Sequence, residues 1–167
     1  GGNEAKTLQH GGQCLNHLGE LQEAVGQSTR ALQAHRKALA IAERLAAQDP
    51  DNAGWQRDLS VRYNRIGGVL ESQGNLAGAL EEFRKALAIA ERLAAQDPDN
   101  AGWQRDLSVS YNRIGGVLES QGNLAGALEE FRKALAIAER LAAQDPDNAG
   151  GQGDLSVDRK STRLNSS

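Results

Sequence analysis

The sequence predicts an all-α solenoid of antiparallel helix pairs, and three observations support this fold class. Every residue from 55 to 102 recurs 48 places later, except that Arg62 is replaced by Ser110, and residues 36–54 repeat residues 84–102 letter for letter. Self-similarity at a period of about 20 to 50 residues is typical of solenoids, in which each unit buries its apolar face on its neighbour. Apolar residues make up 39% of the chain but aromatic residues only 4%, which favours closely packed Ala/Leu helices over strands.

The domain boundaries follow the 48-residue register. We expect a disordered start at 1–6, a degenerate first unit at 7–54, complete units at 55–102 and 103–150, and the truncated start of a fourth unit at 151–157. The chain contains no methionine, even at position 1, so we interpret it as a fragment of a longer open frame.

The last ten residues, 158–167, have no counterpart in the repeats. They resemble the in-frame translation of a sequencing adapter, so we expect a non-native tail. The whole chain has 19 basic and 22 acidic residues; without the three basic residues and one acidic residue of the tail, the remainder has 16 and 21, a net charge of −5. An acidic body disfavours nucleic acid as the partner, because neutralising phosphates requires clustered Lys and Arg.

The first unit carries a possible metal-binding pattern. His10, Cys14 and His17 stand at i, i+4 and i+7, which would place three metal-capable groups on one helix face. We expect Gly11 and Gly12 to interrupt that helix, and no fourth ligand is evident. A degenerate unit without metal is therefore the preferred interpretation.

The first helix of the second unit is predicted from about Asn52 to Gln73. Its apolar residues recur at steps of three and four, forming one stripe: Trp55, Leu59, Tyr63, Ile66 and Leu70. Gly74 follows the end of the helix, where a left-handed residue is favoured, and Asn75 is a natural N-cap for the next helix.

The second helix is predicted to continue to about Gln96. Glu81 and Lys85 form a favourable i,i+4 pair on its outer face. Pro98 cannot continue a helix, and Asp97 or Asn100 would cap the first helix of the following unit.

These units resemble the tetratricopeptide repeat. The matching residues of the second unit are Tyr63, Ile66, Gly67, Leu70, Gly74, Ala79, Phe83 and Ala86, and all recur 48 places later. The resemblance implies a right-handed superhelix, in which small residues at Gly67 and Ala79 let paired helices approach closely. The long second helix is similar to the extended repeats of the kinesin light chain and of related bacterial sensor proteins.

In this family the first helices line a concave groove that receives a peptide. Carried over by motif, the groove residues would be Asn16, Val61, Asn64, Arg65, Gly68, Glu71, Ser72, Val109, Asn112, Arg113, Gly116, Glu119 and Ser120. Asn16, Asn64 and Asn112 recur every 48 residues, and the amides of this asparagine ladder could pair with a peptide backbone. Alternatively, these asparagines cap or solvate a helix face. Arg65 and Arg113 could bind carboxylates or phosphopeptides, although a solvated pair with Glu71 is an equal alternative for Arg65.

Two further features refine the expected partner. Asn64 and Gly68 stand where the chaperone-binding members of the family have a Lys and an Asn, which disfavours binding of chaperone C-termini. We expect Trp55 and Trp103 to cover the seams between units rather than to act as exposed hot spots.

The leading functional hypothesis is a non-catalytic scaffold that binds a peptide or partner helix. Nearly every side chain recurs, whereas catalysis needs a unique asymmetric cluster, so we predict neither an enzyme nor a cofactor. The alternative is a sensor array of a larger bacterial signalling ATPase or enzyme whose catalytic domain lies outside this fragment. A third hypothesis is self-association through an uncapped apolar face around Phe131, Leu135 and Leu141.

The sequence also bears on location. No apolar run approaches the roughly 18 residues needed to span a bilayer, and no leader-like segment is visible. Cys14 is the single cysteine and excludes an internal disulfide. We therefore expect a cytoplasmic protein without a membrane partner.

Overall fold

The computed structural model describes residues 1–146, which form six α-helices in three hairpins. The helices are α1 (Gly2–Ala24), α2 (Ser28–Gln48), α3 (Ala53–Ser72), α4 (Leu76–Gln96), α5 (Ala101–Ser120) and α6 (Leu124–Gln144). Helices pair as α1/α2, α3/α4 and α5/α6, and successive hairpins join through α2 on α3 and α4 on α5. The all-α solenoid predicted from the repeats is confirmed.

The turn inside each hairpin is built by the residues that the sequence singles out. Gly74 has φ of +77°, and its N–H donates to the Glu71 carbonyl while the Asn75 N–H donates to the Leu70 carbonyl. This pair of bonds is the Schellman arrangement, which satisfies carbonyls left open at the helix end. The Asn75 side chain then accepts from the Gly78 N–H at 3.0 Å and starts α4.

The junction between units is capped by asparagine. Asn100 Oδ1 accepts from the Trp103 N–H at 3.1 Å, and Asn52 makes the equivalent bond one unit earlier. Of the two candidate caps, Asp97 and Asn100, the structure selects Asn100. A side-chain acceptor here satisfies one of the open N–H groups of the first turn.

Close approach of paired helices depends on Gly67. A Cβ at this position would lie 2.5 Å from Cε1 of Phe83, whose side chain is completely buried. Phe83 belongs to a core cluster that also contains Ile66 and, from the following unit, Ile114 and Val117. One aromatic ring therefore joins its own hairpin to the next one, as expected of a solenoid.

Two predictions for the first unit are wrong. Helix α1 begins at Gly2 rather than after a disordered stretch, and the ion pair of Glu4 Oε1 with Arg44 Nη2 at 2.5 Å ties its start to α2. The helix also continues through Gly11 and Gly12, because Gly12 is buried against the Ile41 side chain and packing offsets its low helix propensity.

The last helix, α6, exposes apolar side chains. Leu124, Leu128 and Leu135 are 66%, 50% and 56% exposed, whereas their counterparts in α4 pack against the core cluster. The predicted fourth unit at 151–157 and the adapter-like tail at 158–167 lie outside the described residues. In the described part of the chain, no helix combines the length and apolar character needed to cross a bilayer.

Candidate functional site

The first helices of adjacent units leave an open groove between α3 and α5, which we call the α3–α5 groove. It has a volume of about 260 Å³ and is lined by Arg57, Ser60, Val61, Asn64, Arg65, Asp106, Val109 and Arg113. Five of the residues predicted from the sequence therefore line one groove: Val61, Asn64, Arg65, Val109 and Arg113. Sequence reasoning did not single out the other three.

The apolar part of the groove is formed by two valines. Val61 and Val109 are 39% and 43% exposed, one on each helix. Because they occupy equivalent positions in successive units, they offer two apolar contacts to an extended chain lying across the helices. Such contacts add affinity without selecting a particular side chain.

The predicted asparagine ladder is not uniform. The Asn16 Nδ2 group donates to Glu20 Oε1 at 2.8 Å, so this amide is engaged within α1. The Oδ1 atoms of Asn16 and Asn64 are both buried and have no hydrogen-bond partner among residues 1–146, whereas Asn112 is exposed. The three asparagines thus differ in their availability to a ligand, although their spacing is regular.

Two arginines of the groove are neutralised by carboxylates from other units. The Arg57 Nε and Nη2 groups donate to both Asp106 oxygens, at 2.5 and 3.2 Å, and the hydrogen bond and charge of Asp106 raise the pKa of Arg57. Arg65 Nη2 lies 2.8 Å from Glu20 Oε1. The alternative partner Glu71 is not the one that Arg65 contacts.

Arg113 occupies the same place as Arg65, one unit later, but its electrostatic environment differs. Gly68 stands 48 residues after Glu20, so the equivalent carboxylate is missing. Arg113 makes no ion pair within the described part of the chain, and its guanidinium carbon lies 5.6 Å from the centroid of the Phe83 ring. The groove therefore presents one cation without a carboxylate partner, held over an aromatic face.

The remaining predicted residues lie outside this groove lining. Glu71 and Ser72 end α3, and Glu119 and Ser120 end α5. The Ser72 hydroxyl donates to the Val69 carbonyl at 2.8 Å, so it serves its own helix. The lining does not include Gly68 or Gly116 either.

A tyrosine–glutamate hydrogen bond recurs between successive units. The Tyr111 hydroxyl donates to Glu91 Oε1 at 3.0 Å, and Tyr63 makes the same bond to Glu43. Desolvation, followed by the bond to Glu91, raises the pKa of Tyr111 to about 12. These bonds join successive units.

Two of the three metal-capable side chains of α1, His10 and Cys14, lie close together. His10 Nε2 lies 3.7 Å from Cys14 Sγ, and both residues are exposed. Within residues 1–146 no group of three or more His, Cys, Asp or Glu side chains could hold a metal ion.

Comparison with known proteins identifies the repeat. The tetratricopeptide repeat model matches three segments, residues 12–51, 60–99 and 107–147. A search of curated proteins found no match. Among solved structures, the crystal structure of MamA is 22% identical, with a TM-score of 0.37, and the match covers 79% of this chain and 81% of that chain.

A second MamA structure, of AMB-1, is 17% identical with a TM-score of 0.27, covering 77% of this chain and 92% of that chain. At these TM-scores the likeness adds nothing to the family match. Tetratricopeptide repeats generally mediate protein–protein interactions without catalysing a reaction, so the function class that the family supports is a protein-interaction scaffold. The three segments cover most of the sequence, and the chain belongs to the tetratricopeptide repeat family.

Proposed function

We propose that this chain captures an extended peptide segment in the α3–α5 groove, with an acidic side chain of the peptide bound to Arg113. The observation that carries the proposal is the charge balance of the groove. Arg57 and Arg65 are neutralised by Asp106 and Glu20, whereas Arg113 has no carboxylate partner among the described residues. A carboxylate of the ligand would complete the pattern of the preceding unit.

The other contacts follow from the residues beside Arg113. Val61 and Val109 would contact apolar side chains on either side of the acidic one. Asn64 lines the groove, and its covered Oδ1, which has no partner among residues 1–146, would accept a peptide N–H after the amide turns towards the ligand. The expected motif is therefore an acidic residue with apolar neighbours.

The test is to pan a random peptide library against the chain and against the Arg113→Ala variant. We expect enrichment of peptides with an acidic residue beside apolar ones, and loss of that enrichment in the variant. Arg132→Ala is the control, since Arg132 is an exposed arginine on α6, away from the groove. Equal enrichment by the parent and by Arg113→Ala would remove Arg113 from the mechanism.

The role of the asparagines is tested separately. Replacing both Asn64 and Asn112 by Ala should weaken binding of the selected peptides by about fivefold to tenfold per lost hydrogen bond. Unchanged affinity in the double variant would exclude the ladder from recognition.

A second candidate is self-association through α6. Leu128 and Leu135 are exposed, whereas the equivalent Leu80 and Leu87 of α4 are covered by the next unit. A second copy of the chain presents the same type of helix surface and would bury them. Sedimentation should show concentration-dependent oligomers that Leu128→Glu abolishes, and a monomer at all concentrations would contradict this.

We propose a cytoplasmic location, for which the support is the single cysteine of the chain. A role as the sensor array of a larger signalling enzyme stays a prediction, since no described residue bears on it.

A further inference from the structure

The junction between the first and second units contains a separate cleft, which we call the α1–α3 cleft. It has a volume of about 410 Å³. Its walls come from α1, the end of α2 and the first half of α3: Gln9, Gln13, Leu45, Asn52, Gly54, Trp55, Arg57, Asp58, Val61 and Arg62. It shares only Arg57 and Val61 with the α3–α5 groove.

This cleft contains the one residue by which the second and third units differ. Arg62 is 5% exposed, and its Nη2 group donates to Asp58 Oδ1 at 3.0 Å. Its Nε and Nη1 groups are buried and have no hydrogen-bond partner within residues 1–146. The equivalent residue, Ser110, is also buried but is satisfied by the Asp106 carbonyl at 3.0 Å.

The first unit lacks the arginine that forms an ion pair across the next junction. Between the second and third units, Arg57 reaches across to Asp106. The equivalent pair between the first and second units would be residue 9 with Asp58, but residue 9 is glutamine and cannot supply the charge. Asp58 therefore takes its cation from Arg62 on its own helix.

We propose that the α1–α3 cleft binds a carboxylate attached to a short apolar group. Arg57 of the lining is already paired with Asp106, so the cation left for a ligand is Arg62, whose one hydrogen bond to Asp58 uses a single nitrogen of its guanidinium. The buried guanidinium of Arg62 has unused N–H groups on Nε and Nη1, and a carboxylate oxygen can accept a charge-assisted hydrogen bond from either of them. These nitrogens are covered in the empty cleft. On binding, the Arg62 guanidinium turns while it keeps its one hydrogen bond to Asp58, so that the nitrogens meet the ligand.

The apolar part of the ligand would contact Trp55, Leu45 and Val61. Both the C-terminal residue of a peptide and a free short-chain carboxylic acid have this chemistry. The proposal does not depend on peptide capture by Arg113, which lies outside this cleft.

The test uses the two tryptophans of the full chain as paired reporters. N-acetylvaline and butyrate are titrated while the indole N–H signals of Trp55 and Trp103 are followed by NMR. We expect Trp55 to shift and Trp103, its counterpart one unit later, to stay in place. A stronger response to N-acetylvaline assigns the site to a peptide C-terminus, and a stronger response to butyrate assigns it to a free acid.

The neutral amide of N-acetylvaline is the ligand control and should leave the Trp55 signal in place. Two variants use residues that the chain already carries at equivalent positions. Arg62→Ser introduces the residue found at 110 and should weaken binding about tenfold to a hundredfold. Gln9→Arg introduces the residue found at 57 and should close the cleft by pairing with Asp58.

Circular dichroism and thermal melting are used to check that both variants stay folded. The proposal is overturned by equal responses to acid and amide, by equal responses of parent and Arg62→Ser, or by no response of Trp55. A shift of Trp103 equal to that of Trp55 would also overturn it, because binding would then not be specific to this cleft.

Discussion

Neighbouring glycines in α3 allow a direct test of the helix packing. A Cβ at Gly67 would lie 2.5 Å from Cε1 and 2.7 Å from Cδ1 of Phe83, which is roughly 1 Å inside ordinary contact. A Cβ at Gly68 would have no atom within 4 Å. Both residues lie in the interior of the same helix, so the intrinsic effect of Gly→Ala is the same for both.

The expected magnitudes follow from these distances. Alanine is favoured over glycine by about 1 kcal/mol inside a helix, so Gly68→Ala should stabilise the fold by up to that amount. Overpacking costs about 1–3 kcal/mol, and the Phe83 ring is completely buried within the core cluster. Gly67→Ala should therefore destabilise the fold by about 0–2 kcal/mol after the helix term is subtracted, and it should be about 1–3 kcal/mol less stable than Gly68→Ala, because the helix term is common to both.

The assay is thermal unfolding monitored by circular dichroism. For a chain of this size, 1 kcal/mol corresponds to a shift of about 2–4 °C in the melting temperature, so the two variants should be clearly separated. Gly115→Ala should cost less than Gly67→Ala, because its neighbour Phe131 is only half-buried and can shift outward. Equal stability of Gly67→Ala and Gly68→Ala would refute the packing argument.

Three further predictions concern the junctions between units. Asn100→Ala removes the cap of α5 and should cost about 1 kcal/mol in the free energy of unfolding, whereas the same change at the exposed Asn112 should cost little. The pKa of Tyr111 is about 12 in the folded chain and about 10 in the unfolded chain. Its contribution to the free energy of unfolding is therefore complete below pH 10 and is lost as the pH rises towards 12. Between pH 10 and 12, the melting temperature of Tyr111→Phe should fall less steeply than that of the parent chain. A double-mutant cycle on the partly exposed Arg57–Asp106 pair should give a coupling of about 1 kcal/mol or less that decreases with salt, and a salt-independent coupling would contradict a surface ion pair.

The helices and turns could be predicted because their signals are local. Gly74 ends α3 in the left-handed conformation, and Asn75 and Asn100 cap the helices that follow, each through bonds within a few residues. The predicted i,i+4 pair of Lys85 with Glu81 is present at 3.4 Å, although Glu82 is closer at 2.9 Å. Short-range geometry of this kind depends little on the rest of the fold.

The prediction failed where packing overrides local preference. Gly11 and Gly12 were expected to interrupt α1, but the side chain of Ile41 covers Gly12 and the helix continues. In the same unit His35 takes the place of Phe83 and is completely buried, with its Nε2 atom 2.6 Å from Glu23 Oε1. Neither contact is visible in a window of sequence, because each partner lies in another helix or at a distant position.

The sequence by itself determined the repeating unit: its period, its two helices, their turns and caps, and the family to which it belongs. Only the tertiary structure decided which charges are compensated. Arg65 and Arg113 have nearly identical sequence neighbours, yet Arg65 is paired with Glu20 while Gly68 stands opposite Arg113. Equal local sequences form equal helices, but the charge balance around a side chain is set by the preceding unit.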